Sequence, residues 1–228
     1  MLNATTGYRF DSIARAAKIR TVPAATGITP LEDMFSAIGA LVAYASRDEI
    51  FAEEDTAEAV YRIVSGVVRI CKFTEDGRRQ IGEFHFPGDM FGLEADRVHN
   101  FSAEAVTDCR IQTVKRRDLI EAARRDGELA SALWDASSRE LHRLHEHLFL
   151  LGRASAADRV MGFLRTMGER LRSPGVVDIP MSRQDIADHL GLNIETVSRT
   201  ITQLRSEGAI SLEGARRIRV CDDDLCAA

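Results

Sequence analysis

The sequence predicts an α+β protein in three parts: an N-terminal roll of short β-strands, one long helix, and a C-terminal winged helix-turn-helix. Three observations predict it. Between about residues 42 and 114, short apolar runs are separated by turn signals, and Asp76-Gly77 stands between two alternating segments. Trp134, Ser137, Leu141, Leu144, Leu148 and Leu151 then recur at alternating steps of three and four, the pattern of a coiled-coil seam. Residues 181–199 carry two short helical segments joined through Gly191, the organisation of a helix-turn-helix.

Composition sets the bounds. At 228 residues the chain can form two modest domains, each burying its own core. The net charge is −5 and uneven: residues 153–220 hold 11 Arg against 8 Asp and Glu, a balance of +3, which leaves −8 for the rest. That asymmetry fits an acidic regulatory body and a basic, DNA-facing module. No apolar run nears the roughly 18–20 residues of a membrane span. The opening Met1-Leu2-Asn3-Ala4-Thr5-Thr6 has no basic stretch leading into an apolar core. A cytoplasmic protein without a membrane partner is expected. The four cysteines (Cys71, Cys109, Cys221, Cys226) show neither a C-x-x-C nor zinc spacing, so reduced thiols are expected.

Residues 1–28, with Gly7, Pro23 and Gly27, read as an arm with one short helix. Residues 31–41 form a short helix, with Thr29 as N-cap and Pro30 at its first position. Strands follow at 61–64, 67–73 and 79–84, separated by Ser65-Gly66 and by Glu75-Asp76-Gly77. Pro87-Gly88-Asp89 is a further turn, and 109–114 is the closing strand of a small all-β roll. The chain turns helical from Arg117, and the narrow apolar stripe along the long helix predicts pairing with a second copy, a homodimer. His142, His145 and His147 lie on this helix; no carboxylate or cysteine completes a ligand set, so they read as solvated. Gly152 to Ser155 breaks the helix, and Ser155 with Asp158 starts the next. The expected division is 1–28 arm, 29–124 β-roll, 125–152 dimerisation helix and 153–228 winged helix-turn-helix.

The segment at 181–199 carries the function. Ser182 and Asp185 form a capping box, Gly191 supplies a left-handed turn residue, and Asn193 caps the second helix. Ile186, Leu190, Leu192, Val197 and Ile201 lock the two helices, and Ala187 permits their close approach. Residues 209–212 and 217–220 form a wing hairpin, to which 176–179 adds a third strand. A recognition helix presents its N-terminal side chains to base edges in the major groove. Those are Glu195, Ser198 and Arg199, which share one face. Arg199 can donate to guanine O6 and N7, Glu195 can accept from cytosine N4, and Ser198 can meet a thymine methyl. The Glu195–Arg199 spacing also permits a surface ion pair. Ser182, Arg183 and Thr196 are expected at phosphates.

The order of acidic roll, long helix and winged helix resembles the CRP/FNR family of bacterial transcription regulators over roughly residues 30–220. Its markers are Gly66-Val67-Val68-Arg69, Asp76-Gly77-Arg78-Arg79-Gln80, Phe86-Pro87-Gly88-Asp89-Met90-Phe91-Gly92 and the helix-turn-helix. Residues 76–81 and 181–188 look most like FixK-type regulators of low-oxygen and nitrogen-fixation genes. The resemblance implies a cyclic-nucleotide-binding-like jelly roll, a palindromic TTGA–N6–TCAA site, and contacts with RNA polymerase. Ile194 and Ser198 stand where the cyclic-AMP branch has Arg and Gly, so TGTGA is not the expected half-site. Departures point to no cofactor. No Cys precedes Cys71, as an iron–sulfur cluster requires; Leu93 and Phe101 replace the Glu and Arg that hold a cyclic nucleotide; Lys72-Phe73 after Cys71 lacks the haem-ligating His. Control through expression level or partner proteins is then expected. The alternative is a sensor gated by an unrecognised effector in the roll or by a thiol, with Cys221 beside the wing as the redox candidate. No nucleophile–base set, metal constellation or phosphate loop supports an enzyme.

Overall fold

The computed structural model describes residues 29–152, 155–171, 173, 175–214 and 216–221. The expected arm at 1–28 lies outside the described residues. Helix α1 (Pro30–Ile38) starts at a full capping box between Thr29 and Glu32. It is shorter than expected, because Gly39 turns extended and residues 40–41 enter strand β1 (Ala40–Tyr44). That strand takes its hydrogen bonds from β8 (Cys109–Lys115), a pairing that overrides the helix-forming character of Ala40 and Leu41.

The remaining strands are β2 (Glu49–Phe51), β3 (Ala59–Ser65), β4 (Val68–Phe73), β5 (Arg79–His85), β6 (Met90–Phe91) and β7 (Ser102–Ala105). They form two antiparallel four-stranded sheets, in the orders β1-β8-β3-β6 and β2-β7-β4-β5. Phe51, Tyr61, Ile63, Val68, Phe91 and Ile111 cluster in the roll core. Gly66 makes the turn from β3 to β4 at φ +93°, where a Cβ would stand 2.4 Å from the Asp108 carbonyl oxygen. No other residue fits that approach.

Two helices follow the roll rather than one continuous run. Helix α2 (Arg116–Arg125) ends at Asp126, whose carboxylate accepts from the Glu128 and Leu129 amides and starts α3 (Gly127–Leu151), 25 residues long. Leu129, Ala132, Leu133 and Ala136 of α3 pack with Leu31, Phe35, Met90, Val114 and Leu119. This anchors the first half of the helix.

Beyond it come α4 (Ala156–Arg170), β9 (Val176–Asp178), α5 (Arg183–Leu190), α6 (Ile194–Ser206), β10 (Ile210–Leu212) and β11 (Arg217–Val220). The last three strands form a sheet ordered β10-β11-β9, which is the expected wing with its third strand. Val160, Phe163, Leu164, Ile186, Leu190, Val197, Ile201 and Ile218 form the core here, and it is continuous with Ile81 and Phe84 of β5. The expectation of a separate core for each part is therefore corrected: α5 lies on β5, and one apolar cluster crosses between them.

Candidate nucleic-acid interface

The reading head is built by short-range chemistry. Ser182 caps α5: its hydroxyl accepts from the Asp185 amide at 3.1 Å, and the Asp185 carboxylate accepts from the Ser182 amide at 3.0 Å. Gly191 ends α5 at φ +62° and ψ +38°. A Cβ there would meet nothing closer than 3.9 Å, so the need for glycine is conformational rather than steric. Asn193 then caps α6, accepting from the Thr196 amide at 2.7 Å. Val197, Thr200, Ile201 and Leu204 turn inward from α6.

Glu195, Ser198 and Arg199 all lie on the exposed face of α6. Among the described residues neither Glu195 nor Arg199 forms a salt bridge, so the ion pair their spacing permits is not made. Arg183 is half-buried at the start of α5, and burial holds its guanidinium below the usual range. A phosphate would relieve that cost. The Ser182 hydroxyl donates to Asp185 at 2.7 Å, so its proton is committed to the cap. Thr196 is half-buried in the first turn of α6.

A second set of contacts fixes the head against the roll. Arg79 Nη2 donates to Asp185 Oδ1 at 2.6 Å and Arg79 Nε to Asp188 Oδ2 at 2.9 Å. Arg69 Nη1 reaches the same Asp185 oxygen at 2.9 Å and its Nε bonds Glu104 at 2.7 Å. Buried His189 lies with Nδ1 3.2 Å from the Ile81 carbonyl oxygen, and its ring stacks on His147 with centroids 3.9 Å apart. Burial, then the neighbouring His147, push the His189 pKa down to about 3. His147 is thus half-buried in an interface rather than solvated, whereas His142 and His145 are exposed as expected. Asp185 was legible only as a cap; its ion pairs with Arg69 and Arg79 span more than 100 residues, and only charge complementarity hints at them.

Along α3, Trp134, Ser137, Leu141, Leu144 and Leu148 are exposed, Trp134 to 74%, while Leu151 is half-buried. The roll holds a cavity of about 370 Å³ beside this helix, lined by Glu83, His85, Glu94, Phe101, Glu140 and Leu144 among others. Burial, then Glu83, push the Glu140 carboxyl up to about 7. Cys71 and Cys109 are free and buried, with burial raising the Cys71 thiol to about 12, so neither is a ready nucleophile. Cys221 is disulfide-bonded, which corrects the expectation that all thiols are reduced. Among the described residues no helix is long and apolar enough to cross a membrane.

A strand roll, a long helix and a capped helix-turn-helix with a three-stranded wing define a DNA-binding transcription regulator rather than an enzyme. Residues 41–126 match the model of the cyclic nucleotide-binding domain, and residues 158–225 match that of the Crp-like helix-turn-helix domain. The nitrogen fixation regulation protein FixK of Azorhizobium caulinodans is 50% identical over 192 residues, covering 82% of this chain and 77% of that one. FixK of Rhizobium meliloti is 42% identical, covering 75% and 78%. The structure of FixK2 from Bradyrhizobium japonicum matches with a TM-score of 0.77 at 44% identity, covering 81% of this chain and 93% of that one. The chain belongs to the CRP/FNR family, in its FixK-like subgroup.

Proposed function

We propose that this regulator works as a homodimer, in which two copies of α6 read the inverted half-sites of a TTGA–N6–TCAA-like palindrome. Glu195, Ser198 and Arg199 read bases, with Arg199 on guanine and Glu195 on cytosine. Arg183, Thr196 and the start of α5 at Ser182 hold phosphates. The observation that carries this reading is the shared, unpaired exposure of Glu195 and Arg199 on a helix fixed from behind by Val197, Ile201 and Leu204. The seam of Trp134, Ser137, Leu141, Leu144, Leu148 and Leu151 pairs the copies; a row of exposed leucines on one helix supports it. The parts act as a roll (29–124), a dimerisation helix (125–152) and a reading head (153–228). Likeness to FixK proteins supports an activator of low-oxygen or nitrogen-fixation genes that works in the cytoplasm with RNA polymerase.

The roll is read as operating without cyclic AMP, haem or an iron–sulfur cluster. Its cavity is lined by Glu83, Glu94, Phe101 and Glu140, and the family resemblance puts Phe101 where a cyclic-nucleotide-binding member has its phosphate-binding Arg. A phosphate there meets carboxylates instead of a cation. The disulfide at Cys221, directly after β11, favours a second reading in which thiol oxidation adjusts the wing.

Binding-site enrichment from random duplexes tests the main reading. The parent protein is expected to select inverted TTGA half-sites, and Arg199→Ala to relax the guanine position at a cost of about 1–3 kcal/mol per half-site. Unchanged selection by the variant refutes the assignment.

A further inference from the structure

His85 is the least explained polar residue in the roll. Its imidazole is 1% exposed, and Nδ1 has no hydrogen-bond partner. Its other nitrogen, Nε2, stands 3.9 Å from Glu83 Oε2, beyond hydrogen-bond reach. A buried ring without partners is costly unless something else engages it.

The surroundings say what that is. Glu83 and His85 are two residues apart on β5, and so project from the same face of the strand. Glu140 approaches from α3, and ligand-capable atoms of the three residues lie within 4.8 Å of one another. Glu83 gives its other oxygen, Oε1, to Arg143 and, at 3.5 Å, to Arg170. Oε2 remains turned to His85. Arg170 is also bonded to Asp89, so two arginines face Glu83, Asp89 and Glu140. The third carboxylate has no cation of its own: among the described residues Glu140 forms no ion pair.

We propose that Glu83, His85 and Glu140 form a binding site for one divalent first-row transition-metal ion, which bridges the roll and the long helix. Two carboxylates and one imidazole make a mixed oxygen and nitrogen set. Such a set favours zinc, iron or manganese over the all-oxygen ions calcium and magnesium, and no thiolate is present to select copper(I). A tetrahedral ion bonded at about 2.0–2.2 Å to each ligand holds the ligand atoms about 3.3–3.6 Å apart. The ligand atoms lie within 4.8 Å of one another, so side-chain shifts of about 1 Å close the set. The adjoining cavity leaves room for water in the remaining positions. The ion adds positive charge beside Glu140 and gives one nitrogen of the His85 ring a partner. It bears on neither α6 nor DNA, so the proposal stands apart from the function proposed above.

Calorimetric titration of tag-free, full-length protein with zinc chloride tests it, with cobalt(II) chloride as a visible-absorption probe of the ligand field. One zinc per chain is expected, with a rise in Tm on addition. Glu140→Gln, which keeps the shape of a half-buried side chain, is expected to weaken binding at least tenfold and abolish the Tm rise. His85→Gln is expected to do the same and to change the cobalt spectrum; should it fail to fold, Glu140→Gln decides alone. Absence of one-to-one binding by the parent overturns the proposal. So does undiminished binding by Glu140→Gln, which assigns the metal to exposed residues such as His142 and His145.

Discussion

Arg199 and His189 differ in their chemistry although one short motif holds both. Arg199 keeps its charge on the surface with no internal partner, so its hydrogen-bonding fork is ready for an external acceptor. His189 is buried, with Nδ1 facing the Ile81 carbonyl of β5, His147 of α3 against its ring, and Arg170 of α4 nearby. Burial, then His147 and Arg170, disfavour the imidazolium and outweigh the Ile81 carbonyl, which favours it. An unfolded histidine titrates near 6.5, whereas His189 is lowered to about 3 in the folded chain. Above pH ~6.5 neither state binds the proton; below it the unfolded chain does and the folded one does not. Stability is therefore full above that pH and falls by about 1.4 kcal/mol per unit as the pH drops towards about 3. Urea unfolding at pH 7, 6 and 5 should show a shallower acid slope for His189→Phe than for the parent. Equal slopes mean that His189 is not the group responsible.

At the scale of elements, α3 is divided along its length. Its first half is anchored by Leu129 and Leu133 on α1 and α2, while Leu141, Leu144 and Leu148 remain exposed. Leu144→Glu with Leu148→Glu should convert the dimer to monomer in light scattering. Trp134, the single tryptophan, is 74% exposed in one chain, so its emission should shift to the red in that variant. A persistent dimer refutes the seam. The helix-turn-helix was legible because its determinants act over three or four residues: Ser182 on Asp185, Gly191 at the turn, Asn193 on Thr196. The Asp76-Gly77 hairpin between β4 and β5 was legible for the same reason. Strand β1 was not, because its state depends on β8, about 70 residues away, and nothing local to Ala40 distinguishes strand from helix. The sequence set the start of the long helix at 125, beside the break at Asp126, but the recapping by the Asp126 carboxylate was not read from it.

At the scale of the whole molecule, the reading head is fixed to the roll by the Arg69, Arg79, Asp185 and Asp188 set and by the apolar cluster beneath it. No sequence pattern encodes such a contact; it exists only once β5 and α5 meet. Arg79→Ala leaves Asp188 without its cation and Asp185 with Arg69 alone. Removing one partner of a buried pair costs about 3–5 kcal/mol, and the surviving Arg69 places this variant at the lower end. Faster amide hydrogen exchange in both β5 and α5 is expected, and unchanged exchange rules out a docking role for Arg79. In the proposed homodimer, the position of α6 relative to its twin would depend on this docking and on the α3 seam together.

Two such heads are proposed to read inverted half-sites through Arg199 and its neighbours. Fluorescence-anisotropy titration of the full-length protein on a TTGA–N6–TCAA duplex, beside one with the guanine of each half-site replaced, is the decisive test. The parent should bind the intact site at least tenfold more tightly at fixed salt, and Arg199→Ala should bind both duplexes alike. Equal affinity of the parent for the two duplexes, or full discrimination retained by Arg199→Ala, would contradict it.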